Sequence, residues 1–317
     1  MKNQTFGVEI EMNHITRRDA AKLAAQYFGT EDTVHYDGTV YQIWSCKDTK
    51  GRKWQFERDS SIAGPDDQKC EMVTPILKYE DMEMLQELVR RLRKAGAVSN
   101  PKQGCGVHIH IGINGTDGNN HTPQTLRNLA NIMAAHESIL ISALKLDWNR
   151  MSTYCKPVDG RFLADINKKK PKTMADLADV WYQSQGCNSG RNQHYNYSRY
   201  HMLNLHATFT KGTIEFRLFQ FDNPGTNLQG KAYRGGLHAG QLKSYIQLCL
   251  ALSQKAKEVK TASPKALITD NPKYAMRCWL LRLGFIGDEF KTARDILTRN
   301  LKGNAAWRHG EPTAIAV

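Results

Sequence analysis

The sequence predicts an α+β fold in which one β-sheet has a polar face in front and helices packed behind it. Residues 6–12, 105–113 and 213–221 alternate apolar with polar side chains, and this period of two is typical of half-buried strands. Other stretches carry apolar residues at helical spacing. Because no linker interrupts these elements, the 317 residues are expected to form one domain, with a core over about 5–250 and a helical part over about 251–317.

The N-terminal half predicts two helices and several extended segments. In the first strand, Gly7, Glu9 and Glu11 alternate with apolar residues. In the second helix, Glu87 and Arg91 are one turn apart and can form an ion pair,. In chain order we expect a strand, a helix, a hairpin, a short extended segment and an amphipathic helix, over residues 6–12, 16–27, 40–62, 70–77 and 79–97.

The C-terminal half predicts two more strands among helices. Thr122 and Pro123 have the residue types of a helix cap and a first-turn proline,, so a helix is expected from there to about residue 146. Residues 165–200 are polar and predict a mobile connection with a short helix. A helix is expected over 235–259. The hairpin at 40–58 and the lysine-rich run at 168–172 receive no assigned role.

Composition narrows the class of protein. The net charge of +13 attracts polyanions such as nucleic acid, nucleotides or acidic substrates,, without choosing among them. Seven cysteines without a Cys-x-x-Cys spacing disfavour a disulfide framework and a zinc ribbon,. No apolar run is long enough to span a bilayer, and the N-terminus has carboxylates where a signal peptide would be apolar. A cytoplasmic protein without a membrane partner is expected.

Three strands share one arrangement of polar residues. Each has two such residues at positions i and i+2, so both side chains lie on the same face of the sheet, roughly 7 Å apart. Glu71 and Asp59, from the short segments, can join this face. The three pairs are Glu9 with Glu11, His108 with His110, and Glu215 with Arg217.

These residue types together indicate phosphoryl-transfer chemistry. Crowded carboxylates repel one another, and a divalent cation removes that conflict. Oxygen-rich sites suit Mg²⁺ or Mn²⁺, and an arginine is a natural partner of a phosphoryl oxygen. Each pair alone is more ordinary: Glu-x-Glu is often a solvated face, and Glu-x-Arg is often a surface salt bridge. Three pairs that each lie opposite an apolar face are harder to attribute to chance.

Other motifs are weaker. Residues 225–232, GTNLQGKA, nearly match a P-loop, but Ala232 replaces the hydroxyl residue that would hold Mg²⁺,. Lys231 can still reach a phosphate. The lysine run at 168–172 more often marks a solvated face than a nucleic-acid contact. The aromatic run at 194–200 can stack bases, although packing beneath a loop is the ordinary interpretation.

The ordered motifs resemble one known family. FGVEIE, DSSI, EMVTPIL, GCGVHIHIG and TIEFRLF, spread over about residues 5–250, are similar to the amidoligase family. That family belongs to the superfamily of glutamine synthetase and glutamate–cysteine ligase. The resemblance implies a curved antiparallel sheet like that of the glutamine synthetase catalytic domain.

The resemblance also implies roles for individual residues. His110 would lie near the acceptor substrate, Arg217 would contact the transferred phosphoryl group, and Asp59 would lie near the incoming amine. Arg199 and Asn204, in RYHMLNL, would lie near the nucleotide or substrate. The implied metal ligands are Glu9, Glu11, Glu71, His108 and Glu215.

The implied activity is that of an ATP-dependent carboxylate–amine ligase that uses Mg²⁺ or Mn²⁺. ATP would phosphorylate a carboxylate, and an amine would then displace phosphate to form an amide or isopeptide bond. The two substrates, small molecules or peptides, remain open, and the positive charge favours an acidic one. Two alternatives also remain open: a dinuclear metallohydrolase or phosphatase, and a catalytically silent nucleic-acid-binding protein on this scaffold.

Overall fold

The α+β class is confirmed by the structure, a computed structural model that describes residues 1–223, 225–226, 232–233 and 235–308. Eight strands form one open sheet in which every neighbouring pair is antiparallel. The strands are β1 Phe6–Met12, β2 His35–Tyr36, β3 Trp44–Lys47, β4 Lys53–Glu57, β5 Cys70–Val73, β6 Val107–Gly112, β7 Leu203–Asn204 and β8 Thr213–Phe219. A separate ribbon pairs β9 Gly225–Thr226 with β10 Ala232–Tyr233.

The order of strands across the sheet is β2-β3-β4-β5-β1-β6-β8-β7. The first strand of the chain is therefore in the middle, between β5 and β6. This topology brings residues that are distant in sequence onto neighbouring strands.

Helices cover the apolar face of the sheet. Helix α8 packs on β6, α2 and α3 pack on α8, and α1 packs on β3 and β4. The described helices are α1 Arg17–Phe28, α2 Met82–Lys94, α3 Pro123–Leu144, α4 Trp148–Thr153, α5 Gly160–Lys169, α6 Met174–Ser184, α7 His206–Lys211, α8 Ala239–Glu258, α9 Pro272–Arg282 and α10 Lys291–Thr298.

The alternation of residues in the sequence places apolar side chains in the core and polar side chains on the opposite face of the sheet. The apolar residues of β1, from Phe6 to Met12, are buried in one hydrophobic cluster that also includes Leu301 near the end of the described chain. On β6, Val107, Ile109 and Ile111 are fully buried on that side. Glu9, Glu11, His108 and His110 are thereby left on the opposite face.

One helix has the predicted cap, and another begins later than predicted. Thr122 caps α3, and Pro123 occupies its first turn. Helix α8 begins at Ala239, later than predicted, because the side chain of His238 accepts a hydrogen bond from the backbone of Gln241 and so caps the helix there.

The polar segment at 165–200 contains more helix than the sequence indicated. Two helices, α5 and α6, lie over residues 160–184. Asp159 caps the first, and Thr173 and Asp176 form a capping box at the start of the second. These cap residues were the available sequence signal, since a capping box marks a helix start.

In the part of the chain that the structure describes, no helix combines the length and apolar character required to cross a membrane.

Candidate active site

The strand register places the predicted polar residues side by side. Glu9 on β1 is opposite His108 on β6, and His110 is opposite Glu215 on β8. On the other side of β1, Glu11 is opposite Glu71 on β5. The three pairs of residues singled out in the sequence therefore form one cluster, hereafter the carboxylate cluster, together with Glu71.

Two sets of ligand atoms in this cluster are close enough to share a metal ion. One comprises Glu9, His108 and Glu215; the other comprises Glu11, Glu71 and His108. Within each set the donor atoms lie within 4.8 Å of one another. His108 belongs to both sets. The five residues are those that the family resemblance suggested as metal ligands.

Glu9 is surrounded by cationic or potentially cationic groups. His108 Nδ1 lies 3.0 Å from Glu9 Oε2, and His110 Nε2 lies 3.1 Å from Glu9 Oε1. Lys211 Nζ lies 3.6 Å from the same Oε1. Burial alone raises the pKa of Glu9, but His110, His108 and Lys211 together hold that pKa well below its usual range.

Glu215 is fixed by two partners. Arg217 donates a hydrogen bond to Oε1, and Asn204 Nδ2 donates to Oε2 at 2.6 Å. Burial opposes ionisation, but the charges of Arg217 and His110 lower the pKa of Glu215 to about 2. The carboxylate is therefore charged and oriented without a metal.

Glu71 and Glu57, in contrast, have other carboxylates as neighbours and experience electrostatic repulsion. Burial raises the pKa of Glu71 well above its usual range, and the charges of Glu9 and Glu11 raise it further. Burial and the charge of Glu9 likewise raise the pKa of Glu57, which is opposite Glu71 on β4. Burial and the neighbouring carboxylates therefore favour the protonated form of both Glu71 and Glu57.

Arg217 is buried and contacts both the Glu215 carboxylate and the aromatic ring of Tyr200. Its guanidinium carbon lies 5.8 Å from the centre of the Tyr200 ring, and its Nε donates to the carbonyl of Tyr154 at 3.4 Å. Arg199 packs on the same Tyr200 ring at 5.8 Å and donates to the carbonyl of His194. Among the described contacts of Arg199 none is to a cluster carboxylate, in contrast to Asn204.

Three further residues of the site were missed by the sequence reasoning. Glu57 carried a signal, since Gln55 and Glu57 alternate with buried Trp54 and Phe56 on the predicted hairpin. Lys211, the last residue of α7, and Arg150, in α4, carried none.

Arg150 occupies space that a glycine leaves free. A Cβ at Gly106 would lie 1.9 Å from Arg150 Nη2, so any other residue would clash with the guanidinium. The same Nη2 donates to the carbonyl of Arg217 at 3.0 Å and lies 3.4 Å from His108 Nε2. Arg150 thus joins the metal-ligand candidate His108 to the backbone of β8.

The predictions for Asp59 and Lys231 have different outcomes. Asp59 lies near Glu71 and contributes to the raised pKa of that carboxyl, and its Oδ1 accepts a hydrogen bond from the backbone of Ser61. Lys231 lies outside the described residues, as does most of the near P-loop at 225–232.

Two cavities are present beside the described elements. One of about 340 Å³ is lined in part by Glu9, His110 and Lys211. The other, of about 430 Å³, lies between α2 and α8 and includes none of the residues of the carboxylate cluster.

Comparison with known protein families gives one match. A family model described as "Putative amidoligase enzyme" matches residues 2–253, which covers every strand of the sheet. The chain belongs to the amidoligase family. No curated protein matches the sequence significantly. The matched range includes both candidate metal sets of this amidoligase and ends within α8.

Proposed function

We propose that this amidoligase is an ATP- and Mg²⁺-dependent carboxylate–amine ligase that forms an amide or isopeptide bond through an acyl phosphate. The observation that carries the proposal is the position of a buried arginine, Arg217, beside two sets of metal-ligand candidates on one sheet face. Family membership favours a ligase over a phosphatase with the same residues. A curved sheet of the glutamine synthetase type is part of the proposal.

The donor chemistry fits a hard divalent ion. Four of the five candidate ligands are carboxylates and the fifth is an imidazole, a set that suits Mg²⁺ and tolerates Mn²⁺. Glu9, Glu215 and His108 would hold one ion, and Glu11 and Glu71 would hold another with His108. The ions would neutralise the charge of the ATP phosphates.

The residues of the chain would orient the groups that react. In the first step a carboxylate oxygen attacks the γ-phosphorus of ATP, the bond to the β-phosphate oxygen breaks, and ADP leaves. Arg217, whose planar guanidinium can contact two phosphoryl oxygens, would stabilise the transferred group. Asn204 and Arg217 would hold Glu215 in place through their hydrogen bonds.

In the second step the amine nitrogen attacks the acyl carbon and inorganic phosphate leaves. The proton of the amine would pass to Glu57 or Asp59, two carboxylates beside the Glu71 end of the cluster. Glu57 suits this role by position, because it is opposite Glu71 on β4 and belongs to neither candidate metal set,.

Trapping with hydroxylamine tests this reaction without knowledge of the natural amine. The purified protein is supplied with ATP, Mg²⁺, hydroxylamine and a panel of carboxylates, and both ADP and hydroxamate are measured. A ligase forms hydroxamate and ADP in equal amounts, and Glu215→Gln abolishes both. Phosphate release that needs no carboxylate would instead support the phosphatase alternative and contradict the proposal.

A further inference from the structure

The cavity of about 340 Å³ continues the carboxylate cluster at one end of β1. It is lined by Phe6 to Glu9 on β1, by Val73 to Ile76 beyond β5, and by His110 on β6. Glu11, Glu71 and Glu57 are at the other end of these strands, since Glu11 is two residues beyond Glu9 and is opposite Glu71. The cavity therefore lies on the Glu9 side of the candidate metal sets, and Glu57, which belongs to neither set, lies on the Glu71 side.

Lys211 supplies positive charge to this cavity. It is the last residue of α7 and precedes Gly212, whose φ of 69° allows the chain to turn directly into β8. The lysine side chain remains 45% exposed although its Nζ lies 3.6 Å from Glu9 Oε1. It can therefore interact with a second anion beside Glu9.

The remaining wall of the cavity combines apolar side chains with uncharged polar ones. Val73, Pro75 and Ile113 contribute to it, and Ile76 is 74% exposed at its edge. Thr5, Thr74 and Thr213 also line it. One ammonium group near an apolar wall suits a single carboxylate on an aliphatic chain, whereas polyphosphate is usually held by several donors.

We infer that this cavity binds the carboxylate substrate, that Lys211 contacts its carboxylate group, and that Ile76 contacts its aliphatic chain. The inference rests on the proposed function, because it assigns one substrate of that reaction. It also implies that the carboxylate and the amine approach the candidate metal sets from opposite sides. Glu57 and Asp59, which belong to neither candidate metal set, would repel a second carboxylate and suit the incoming amine instead.

Ligand-observed NMR with saturation transfer tests the subsite without turnover. The probes are acetate, propionate, succinate, glutarate, L-aspartate and L-glutamate, each compared with its amide counterpart in the presence of Mg²⁺. We expect the wild-type protein to bind at least one of the carboxylates and to bind its amide much less. Lys211→Met should weaken that binding by roughly ten- to a hundredfold, the scale for losing a charged hydrogen bond, while Lys211→Arg should retain most of it.

Lys169→Met is a matched control. The side chain of Lys169 is also 45% exposed and its Nζ lies 3.0 Å from Asp165 Oδ2, but it is on α5 and does not line the cavity. Its variant should bind the carboxylates like the wild type. Ile76→Ser should weaken glutarate more than acetate, because only the longer chain reaches the apolar edge.

Three results would overturn the inference: no probe carboxylate bound by the wild type, unchanged binding in Lys211→Met, or displacement of the carboxylate by a non-hydrolysable ATP analogue. The last would show that Lys211 binds a phosphate. Failure of the ligase proposal looks different. Carboxylate binding that depends on Lys211, without hydroxamate formation from any probe, would support the subsite and contradict the proposed reaction.

Discussion

Glu71 and Glu215 are both buried, yet the surrounding charges shift their pKa values in opposite directions. Arg217 and Asn204 contact Glu215 directly, and its pKa falls to about 2. Glu71 has carboxylates as its neighbours, and its pKa rises well above the usual range. Removal of a carboxylate is therefore expected to relieve repulsion at Glu71, and at Glu215 to leave Arg217 without its partner.

Replacement of these two carboxylates should shift stability in opposite directions in the metal-free protein. Glu71→Gln should raise Tm by a few degrees in EDTA, and this gain should grow with pH. The reason is that the wild-type protein loses stability as a carboxyl whose pKa is raised by folding becomes ionised. Glu215→Gln should lower the unfolding free energy by about 3–5 kcal/mol, since it leaves a buried guanidinium unpaired. Thermal unfolding measures both, with Glu83→Gln on the exposed face of α2 as control. Equal shifts of one sign would contradict this account.

Arg217 should act on the transition state more than on bound ATP. Arg217→Lys keeps the charge but loses the planar fork, so kcat should fall by roughly two to three orders of magnitude with a much smaller change in the KM for ATP. Steady-state hydroxamate kinetics measure this effect. Arg91→Lys, at an exposed pair with Glu87 on α2, is the control. If Arg217→Lys turned over at nearly the wild-type rate, Arg217 would serve only to neutralise Glu215.

At the scale of elements, the alternation of apolar and polar residues predicted strands of the sheet. It did not predict the helical residues that approach the sheet. The strands β1, β6 and β8 and the polar faces carrying Glu9, His108 and Glu215 were predicted, because a period of two separates core from site along each strand. Arg150 and Lys211 could not be predicted in the same way. They come from helices, and their approach to the sheet depends on tertiary packing that no local pattern encodes.

Gly106 shows how closely α4 approaches β6. Gly106→Ala should displace the Arg150 guanidinium, because the new Cβ would lie 1.9 Å from Nη2, and we expect a loss of about 1–3 kcal/mol, the range for forcing extra volume into a packed site. Gly7→Ala on the adjacent strand is the control, since its nearest neighbours would lie 3.9 Å away. Urea unfolding should separate the two variants. In the Arg150→Ala background the cost of Gly106→Ala should largely disappear.

At the scale of the whole molecule, two buried titratable groups behind the sheet make stability depend on pH. Behind the sheet, burial lowers the pKa of His121, which immediately precedes the cap of α3, to about 3. Burial also raises the pKa of Glu137, within α3, to about 7. Glu137 accepts a hydrogen bond from the backbone of Val158 and so ties α3 to the segment before α5. Ionisation of either group destabilises the fold, but His121 becomes charged as pH falls and Glu137 becomes charged as pH rises,.

The contribution of Glu137 can be isolated with Glu137→Gln, which keeps an acceptor for Val158. Folding raises the pKa of Glu137 from its usual value of 4.5 to about 7. The wild type should therefore lose stability relative to the variant as pH rises from about 4.5 to 7, with no further change above that range. Tm values of both proteins at several pH values provide the test. A difference in Tm that does not vary with pH would show that Glu137 is not perturbed.

The central position of β1 has a consequence for protein synthesis. The strand that carries Glu9 is made first, but β8, which carries Glu215, begins about 100 residues after β6 ends. At translation rates of roughly 5–20 residues per second, a nascent chain spends about 5 to 20 seconds with β6 made and its outer edge unpaired. An unpaired edge can recruit other strands, so a chaperone that shields β6 on the ribosome would increase the yield of the native protein.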